Sequence, residues 1–269
     1  EQAAMLPVPD YCRHEGAPIG VEDKGEIKIT PRLKILQALS NSDLVSHYGV
    51  GAVIIVEPLA LVCGPEGSFT AVPVYQFPTW EIWKDLQDKS STNPVEAQSH
   101  DPRSEIAQRA KARHSEQYGT PDAKTGRLPW ERVWLEILNF ILEIQEFRND
   151  GAHGARPGEA KAGDIVLASF GKGSIKFGRR LKGYCQRTEA DLFASRIEFF
   201  SHLTANPTGQ EYYVLNHRPS KQPWVGSATY ERLARLYQDF DKLYRQGQIA
   251  VTPTDGGETR ADGDGGPDL

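Results

Sequence analysis

The chain's most apolar stretch reads PWERVWLEILNFILEIQEF, residues 129–147. Apolar side chains occupy both odd and even positions along it. The pattern is therefore neither the alternation of a half-buried strand nor the 3.6-residue period of an amphipathic helix. A buried helix and a buried strand are both compatible with it, and of the two we favour a long buried strand.

Two strand patterns precede this stretch. Residues 26–39 mostly alternate, with Pro31 as an interruption, which is typical of a short or edge strand. Residues 50–63 are rich in Val, Ile and Leu, and turn residues at 64–67 separate them from a second apolar run at 69–77. This arrangement predicts a β-hairpin.

One further strand and two helices are predicted. Residues 164–168 form a short apolar run behind a glycine-containing loop, which indicates a strand. Residues 103–118 contain good helix formers and few apolar side chains, as an exposed helix does. Residues 229–246 repeat aromatic and leucine side chains at helical spacing and predict an amphipathic helix that packs on a sheet. The fold class is therefore mainly β, of the α+β type with helical additions.

Composition divides the chain into three parts. Residues 1–25 are rich in Pro, Gly and charge and predict an irregular arm. Residues 26–250 predict a single domain, with an insertion at about 85–128. Residues 251–269 are polar and acidic and predict a disordered tail, because so few apolar side chains cannot form a core.

The net charge of −5 is concentrated at one end of the chain. The last fifteen residues carry five acidic side chains and one arginine, so they account for −4 and leave −1 for residues 1–254. A nearly neutral body with a local basic segment is compatible with a nucleic-acid ligand.

The cysteines predict neither a disulfide framework nor a zinc site. Cys12, Cys63 and Cys185 are far apart and form no C-x-x-C pair. Cys12 with His14 supplies too few ligands for a metal. We expect no metal and no other cofactor.

Positive charge is concentrated in residues 165–188, which contain no Asp or Glu. Three aromatic side chains, Phe170, Phe177 and Tyr184, are interspersed among the cations. Cations that neutralise phosphates and aromatic rings that stack on bases together favour single-stranded nucleic acid. The cations of this segment are Lys172, Lys176, Arg179, Arg180, Lys182 and Arg187.

A helix is predicted from Ser174, as its N-cap, to about Arg187. The glycines at 171 and 173 would let a ligand come close to the backbone, so Ser174 at the helix N-terminus is a candidate for binding a backbone phosphate. Helical spacing puts Lys176, Arg180, Gly183 and Arg187 on one line. The same spacing puts Phe177, Leu181 and Tyr184 on a neighbouring face that packs into the core. Phe170 precedes the helix, and we therefore predict that it is the stacking residue. A P-loop is excluded, because its first glycine is missing and Lys172 is not followed by Ser or Thr.

Further candidates for binding lie outside this segment. Lys28, Arg32 and Lys34 form a second, smaller basic group. Four tryptophans could stack on bases, although buried core positions are more typical of that residue. They are Trp80, Trp83, Trp130 and Trp134.

The acidic tail has a possible function of its own. Its carboxylates could occupy a basic groove in the absence of nucleic acid and recruit partner proteins when displaced, with Leu269 as an apolar anchor. The alternative is a solubilising end with no specific contact. The residues predicted to bind a partner are Asp262, Asp264, Asp268 and Leu269.

Several of these segments resemble single-stranded DNA-binding proteins of bacteriophage replication and recombination systems. The similar parts are residues 129–147, SFGKGSIKFGRRLKGY at 169–184, PRLKILQ at 31–37 and the tail ending in DGDGGPDL. The resemblance implies an OB-like barrel with an acidic C-terminal tail. The insertion at 85–128 and a terminal Leu in place of Phe depart from that pattern.

The first hypothesis is a non-enzymatic single-stranded DNA-binding protein of a phage replication or recombination module. Its partners would be single-stranded DNA and, through the tail, replication or recombination proteins; a homo-oligomer is possible and a membrane is not expected. No apolar run approaches the roughly 20 residues that span a bilayer, and residues 1–10 lack the pattern of a signal peptide, so we expect a cytoplasmic location, in the host if the protein is from a phage. The alternatives are a metal-dependent nuclease that uses Asp164, Glu159 and Lys172 or Lys176, and a virion or interaction protein with a basic contact patch.

Overall fold

The computed structural model describes residues 31–38, 40–56, 59–84, 95–126, 128, 130–148, 160–206 and 209–245. The predicted arm and acidic tail, together with Lys28, lie outside these residues. Ten strands and four helices of the described part give a mainly β fold of the α+β type, as predicted. In chain order they are β1 (Leu33–Ile35), α1 (Ser42–Tyr48), β2 (Val53–Ile55), β3 (Ala60–Cys63), β4 (Ser68–Lys84), β5 (Val95–Ser99), α2 (Glu105–Lys111), β6 (Ser115–Tyr118), β7 (Trp130–Arg148), β8 (Ile165–Phe170), α3 (Ile175–Arg187), β9 (Ser195–Ala205), β10 (Glu211–Trp224) and α4 (Ser227–Arg245).

Two long strands organise the main antiparallel sheet. β4 has 17 residues and β7 has 19, and they pair from Ser68 opposite Arg148 to Lys84 opposite Arg132. Their length gives each strand several neighbours. The order is β10-β9-β4-β7-β6, and β5 also pairs with β4 and β8 with β7. The prediction of a long strand at residues 129–147 is confirmed.

Both faces of β7 are buried, which explains the apolar side chains at both parities. Leu138 and Phe140 point into a large core that also contains Phe170, Phe177 and Leu181. Ile141 points into a second core on the other face, where α4 packs Leu233 and Tyr237 against Tyr75 and Phe193. Helix α3 thus covers one face of the sheet and α4 the other. The predicted amphipathic helix at 229–246 is confirmed as α4.

Two predictions about local pairing are wrong. Residues 50–77 do not form one hairpin, because β3 pairs with β2, whereas β4 joins the main sheet. The turn closed by the bond from Gly67 N–H to Gly64 O instead passes the chain from one sheet to the other. Residues 103–118 are helical only in α2; β6 follows and pairs with the edge of β7, since an available strand edge outweighs a weak helix propensity.

Strand β1 and the residues next to it lie between β8 and β10 of the main sheet. Arg32 forms a parallel bridge with Leu167 of β8. On the other side, the Gln37 side chain accepts a hydrogen bond from Tyr213 N–H and donates one to Tyr213 O, both at 2.8 Å. Over the described strands neither sheet closes into a continuous barrel. No helix of the described chain is long and apolar enough to cross a membrane.

Candidate nucleic-acid interface

Residues 171–174 form a tight turn between β8 and α3, which we name the head turn. A 3-10 turn at Lys172–Ser174 leads into the helix. Ser174 Oγ accepts a hydrogen bond from Gly171 N–H at 3.0 Å and donates one to Gly171 O at 2.7 Å. Ser174 is the N-cap residue of α3, as predicted. Its side chain does not cap the helix, however, because it closes the head turn instead.

The glycines of the head turn make room for neighbouring side chains. A Cβ atom on Gly173 would lie 2.4 Å from the Tyr212 hydroxyl, and one on Gly171 would lie 3.1 Å from Cγ1 of Ile137. The head turn therefore lies between Ile137 of β7 and Tyr212 of β10. We expected these glycines to let a ligand approach, but the close neighbours are the protein's own side chains.

Three cations of α3 form an exposed row. Lys176, Arg180 and Arg187 are exposed and lie on the line that helical spacing predicts. Within the described residues none of the three forms an ion pair with a carboxylate. We name these three residues the α3 ridge, and a row of such positive charges can neutralise phosphates.

The aromatic side chains of this segment are buried. Phe177 and Tyr184 belong to the large core together with Leu181, as predicted. Phe170 is only 1% exposed and packs edge-on against Phe140, with ring centroids 5.8 Å apart. Gly178 lies directly against it, since a Cβ there would be 2.6 Å from Phe170 Cβ. The prediction that Phe170 stacks on bases is wrong, because the end of β8 turns that side chain into the core.

The other predicted cations do not lie on this row. Arg179 pairs with Glu136 of β7 at 2.6 Å, and the Lys172 ammonium lies 4.1 Å from the centroid of the Trp83 ring. Lys182 is half-buried on α3. Lys34 is a half-buried residue of β1. Arg32, also half-buried, immediately precedes β1 and bridges to Leu167 of β8.

Three of the four candidate tryptophans are buried. Trp80 and Trp134 pack under α2, with Lys111 and Arg109 over their rings at 5.1 and 4.9 Å. Trp83 is 4% exposed. Trp130 is half-buried and stacks on Tyr118, with ring centroids 6.5 Å apart.

Side chains of β9 and β10 that the sequence did not single out border the ridge. His202 lies 6.2 Å from the Phe177 ring, and His217 lies 6.5 Å from the Tyr184 ring. Burial, and then the positive charge of Arg180, lower the pKa of His217 to about 4. Burial raises the pKa of Tyr184 to about 12. No local pattern could have revealed these neighbours, because only the fold brings β10 beside α3.

The residues proposed for metal chemistry do not form a cluster in the described chain. Asp164 Oδ2 accepts a hydrogen bond from Lys161 N–H at 2.7 Å, and Glu159 lies outside the described residues. No group of three His, Cys, Asp or Glu side chains that could hold a metal occurs in the part described. The acidic tail residues Asp262, Asp264, Asp268 and Leu269 also lie outside it.

Comparison of the chain with protein-family models, with curated proteins and with solved structures gives no match. What the described site offers chemically is a row of fixed positive charges. Such a row suits binding of a polyanion.

Proposed function

We propose that the protein binds single-stranded DNA without catalysing a reaction, in phage replication or recombination. The observation that carries this proposal is the α3 ridge, whose exposed cations are free of carboxylate partners within the described residues. Phosphates are the most common ligand of such rows in nucleic-acid-binding proteins. The motifs at 31–37 and 169–184, which resemble phage single-stranded DNA-binding proteins, support the choice of ligand and of system.

The order of the strands supports an OB-like assignment. β4, β7 and β8 are consecutive neighbours in the sheet, and β9 returns after α3 to lie beside β4. A fourth strand that returns beside the first defines a Greek key, and an OB fold is a partly open five-stranded Greek-key barrel. β10 would be the fifth strand, with β1 between it and β8. Tail regulation and partner recruitment remain predictions.

Binding to labelled oligonucleotides tests the proposal. Affinity for single-stranded and duplex forms is measured across a salt series, with and without magnesium. We expect a preference for the single strand and a salt slope of about −2, from three contacts at about −0.7 each. Equal affinity for both forms would exclude the proposal, and strand scission with magnesium would favour a nuclease.

Charge reversal on the ridge tests the location of the site. Lys176→Glu with Arg180→Glu removes two phosphate contacts, so the salt slope should fall in magnitude by about 1.4 while the circular dichroism spectrum stays the same. The matched control is Arg235→Glu with Lys242→Glu, two exposed cations of α4, which covers the opposite face of the sheet. Equal losses in both double variants would mean that α3 is not the site.

A further inference from the structure

His202 of β9 is an exposed aromatic side chain at the edge of the α3 ridge. Its imidazole lies 6.2 Å from the Phe177 ring of α3, with an angle of 59° between the two ring planes. Val214, the residue opposite His202 on β10, is buried in the large core. The imidazole is therefore next to the core and at the same time accessible from the solvent.

Phe177 is also the neighbour of two cations of the ridge. The Lys176 ammonium lies 5.4 Å from the centroid of the Phe177 ring, and the Arg180 guanidinium carbon lies 5.9 Å from it. Phe177 is 4% exposed and packs in the large core, where close packing fixes its position. Two cations and one imidazole thus lie around a single fixed ring. A strand whose phosphates contact the two cations can place one of its bases at the imidazole of His202.

Three other aromatic side chains beside the ridge are less accessible than His202. Phe177 and Tyr184 are buried, and His217, which lies next to Tyr184, is half-buried. A base stacks only on a ring that it can reach. Unpaired bases stack on histidine as they do on phenylalanine, tyrosine and tryptophan.

The α3 ridge by itself does not explain a preference for single strands. Lysine and arginine contact phosphates whether or not the bases are paired, and phosphates are present in both forms. Stacking distinguishes the two forms, because the faces of the bases are covered in a duplex and accessible in a single strand. The proposed function therefore needs an accessible ring within reach of the ridge.

We propose that His202 is the base-stacking residue of the interface and that it supplies the preference for single strands. An unpaired base lies against the imidazole while Lys176 and Arg180 bind the adjacent phosphates. The contact accepts any base, because every base has a face that can stack. This inference rests on the proposed function and adds to it the residue that contacts the base.

The experiment compares a labelled oligothymidylate with an abasic strand of the same length. The wild-type protein should bind the strand with bases about 5- to 150-fold more tightly, as expected for one stacked base. His202→Leu should abolish this preference and leave the affinity for the abasic strand unchanged. His202→Phe keeps an aromatic ring at the same position and should retain the preference.

The matched control is His47→Leu. His47 is also an exposed histidine beside an aromatic ring, with its centroid 4.5 Å from that of Tyr48. It belongs to α1, whose apolar side chains pack against β2 and β3 in a separate cluster. His47→Leu should therefore keep the wild-type preference, and equal losses in His47→Leu and His202→Leu would overturn the inference.

The outcomes separate this inference from the proposed function. A His202→Leu variant that retains the preference for bases overturns the inference alone, as does a His202→Phe variant that loses it. A wild-type protein that prefers single strands to duplex but binds the oligothymidylate and the abasic strand equally also overturns only the inference. Failure of the wild-type protein to bind any of these strands overturns both. If circular dichroism shows that His202→Leu does not fold, His202→Gln removes the ring but keeps a polar side chain, and the same criteria apply to it.

Discussion

Individual residues of the basic segment have different roles because α3 has one face in the core. Arg180 points outward on the ridge, whereas Leu181 is fully buried one residue later. Arg180 also acts on its surroundings, since its charge contributes to the low pKa of His217 on β10. The ridge and the core behind it are therefore electrostatically coupled.

His217 should make stability depend on pH. Its pKa is about 4 in the folded protein and about 6.5 in the unfolded chain, so the unfolded state binds more protons between these values. The contribution of neutral His217 to the free energy of unfolding is fully present above pH 6.5 and is progressively lost as the pH falls toward 4. Between pH 7 and pH 4.5 the free energy of unfolding should therefore fall by roughly 2 kcal/mol less in His217→Gln than in the wild type, as measured by urea unfolding. Parallel pH profiles for the two proteins would show that His217 contributes nothing.

At the level of the elements, α3 carries two glycines in different environments. Gly178 faces the end of β8, where an added Cβ would lie 2.6 Å from Phe170 Cβ and 2.9 Å from its Cγ. Gly183 lies on the exposed ridge line, where an added Cβ would meet only the Arg187 guanidinium at 3.4 Å. The same residue type is thus required for packing at one position and not at the other.

Alanine substitutions should separate these two positions. Gly178→Ala should destabilise the protein by about 1–3 kcal/mol, because it overpacks the contact between α3 and β8. Gly183→Ala should stabilise it by up to about 1 kcal/mol through helix propensity. Urea unfolding of both variants measures the free energies of unfolding, and changes of the same sign would contradict this account of the packing.

At the scale of the whole molecule, Gln37 links the chain that follows β1 to β10 of the main sheet. Its side-chain amide pairs with both backbone groups of Tyr213, as a neighbouring strand would. The gap between β8 and β10 is therefore spanned by β1 and by a side chain. This contact joins residues 176 positions apart in the sequence.

Removal of that contact should weaken the closure between the strands. Gln37→Leu leaves the Tyr213 N–H and C=O without their partner and should lower the free energy of unfolding by about 2 kcal/mol. The Tyr213 amide should also exchange its hydrogen faster, which hydrogen-exchange NMR would detect. Gln37→Glu can still accept from the N–H and should protect that amide better than Gln37→Leu. Unchanged exchange in Gln37→Leu would mean that the contact does not hold the strands together.

Elements with a local pattern could be predicted without knowledge of the fold. The helical spacing after Ser174 and the amphipathic repeat at 229–246 predicted α3 and α4, because burial acts on both segments at the helical period. The apolar side chains at both parities of residues 129–147 predicted only a buried element, of which the strand, the alternative we favoured, is β7. The same spacing correctly assigned Phe177 and Tyr184 to the core.

The pairing of the strands and the surroundings of the α3 ridge could not be predicted from local patterns. The sequence could not show that β3 pairs with β2 and not with β4, or that Phe170 turns inward, because both depend on distant partners. The contacts of Lys172 with Trp83 and of Arg180 with His217 likewise join residues far apart in the chain. A local pattern indicates whether a side chain is buried. Which strands pair and which side chains are in contact depends on the packing of the whole chain, and no local period contains that information.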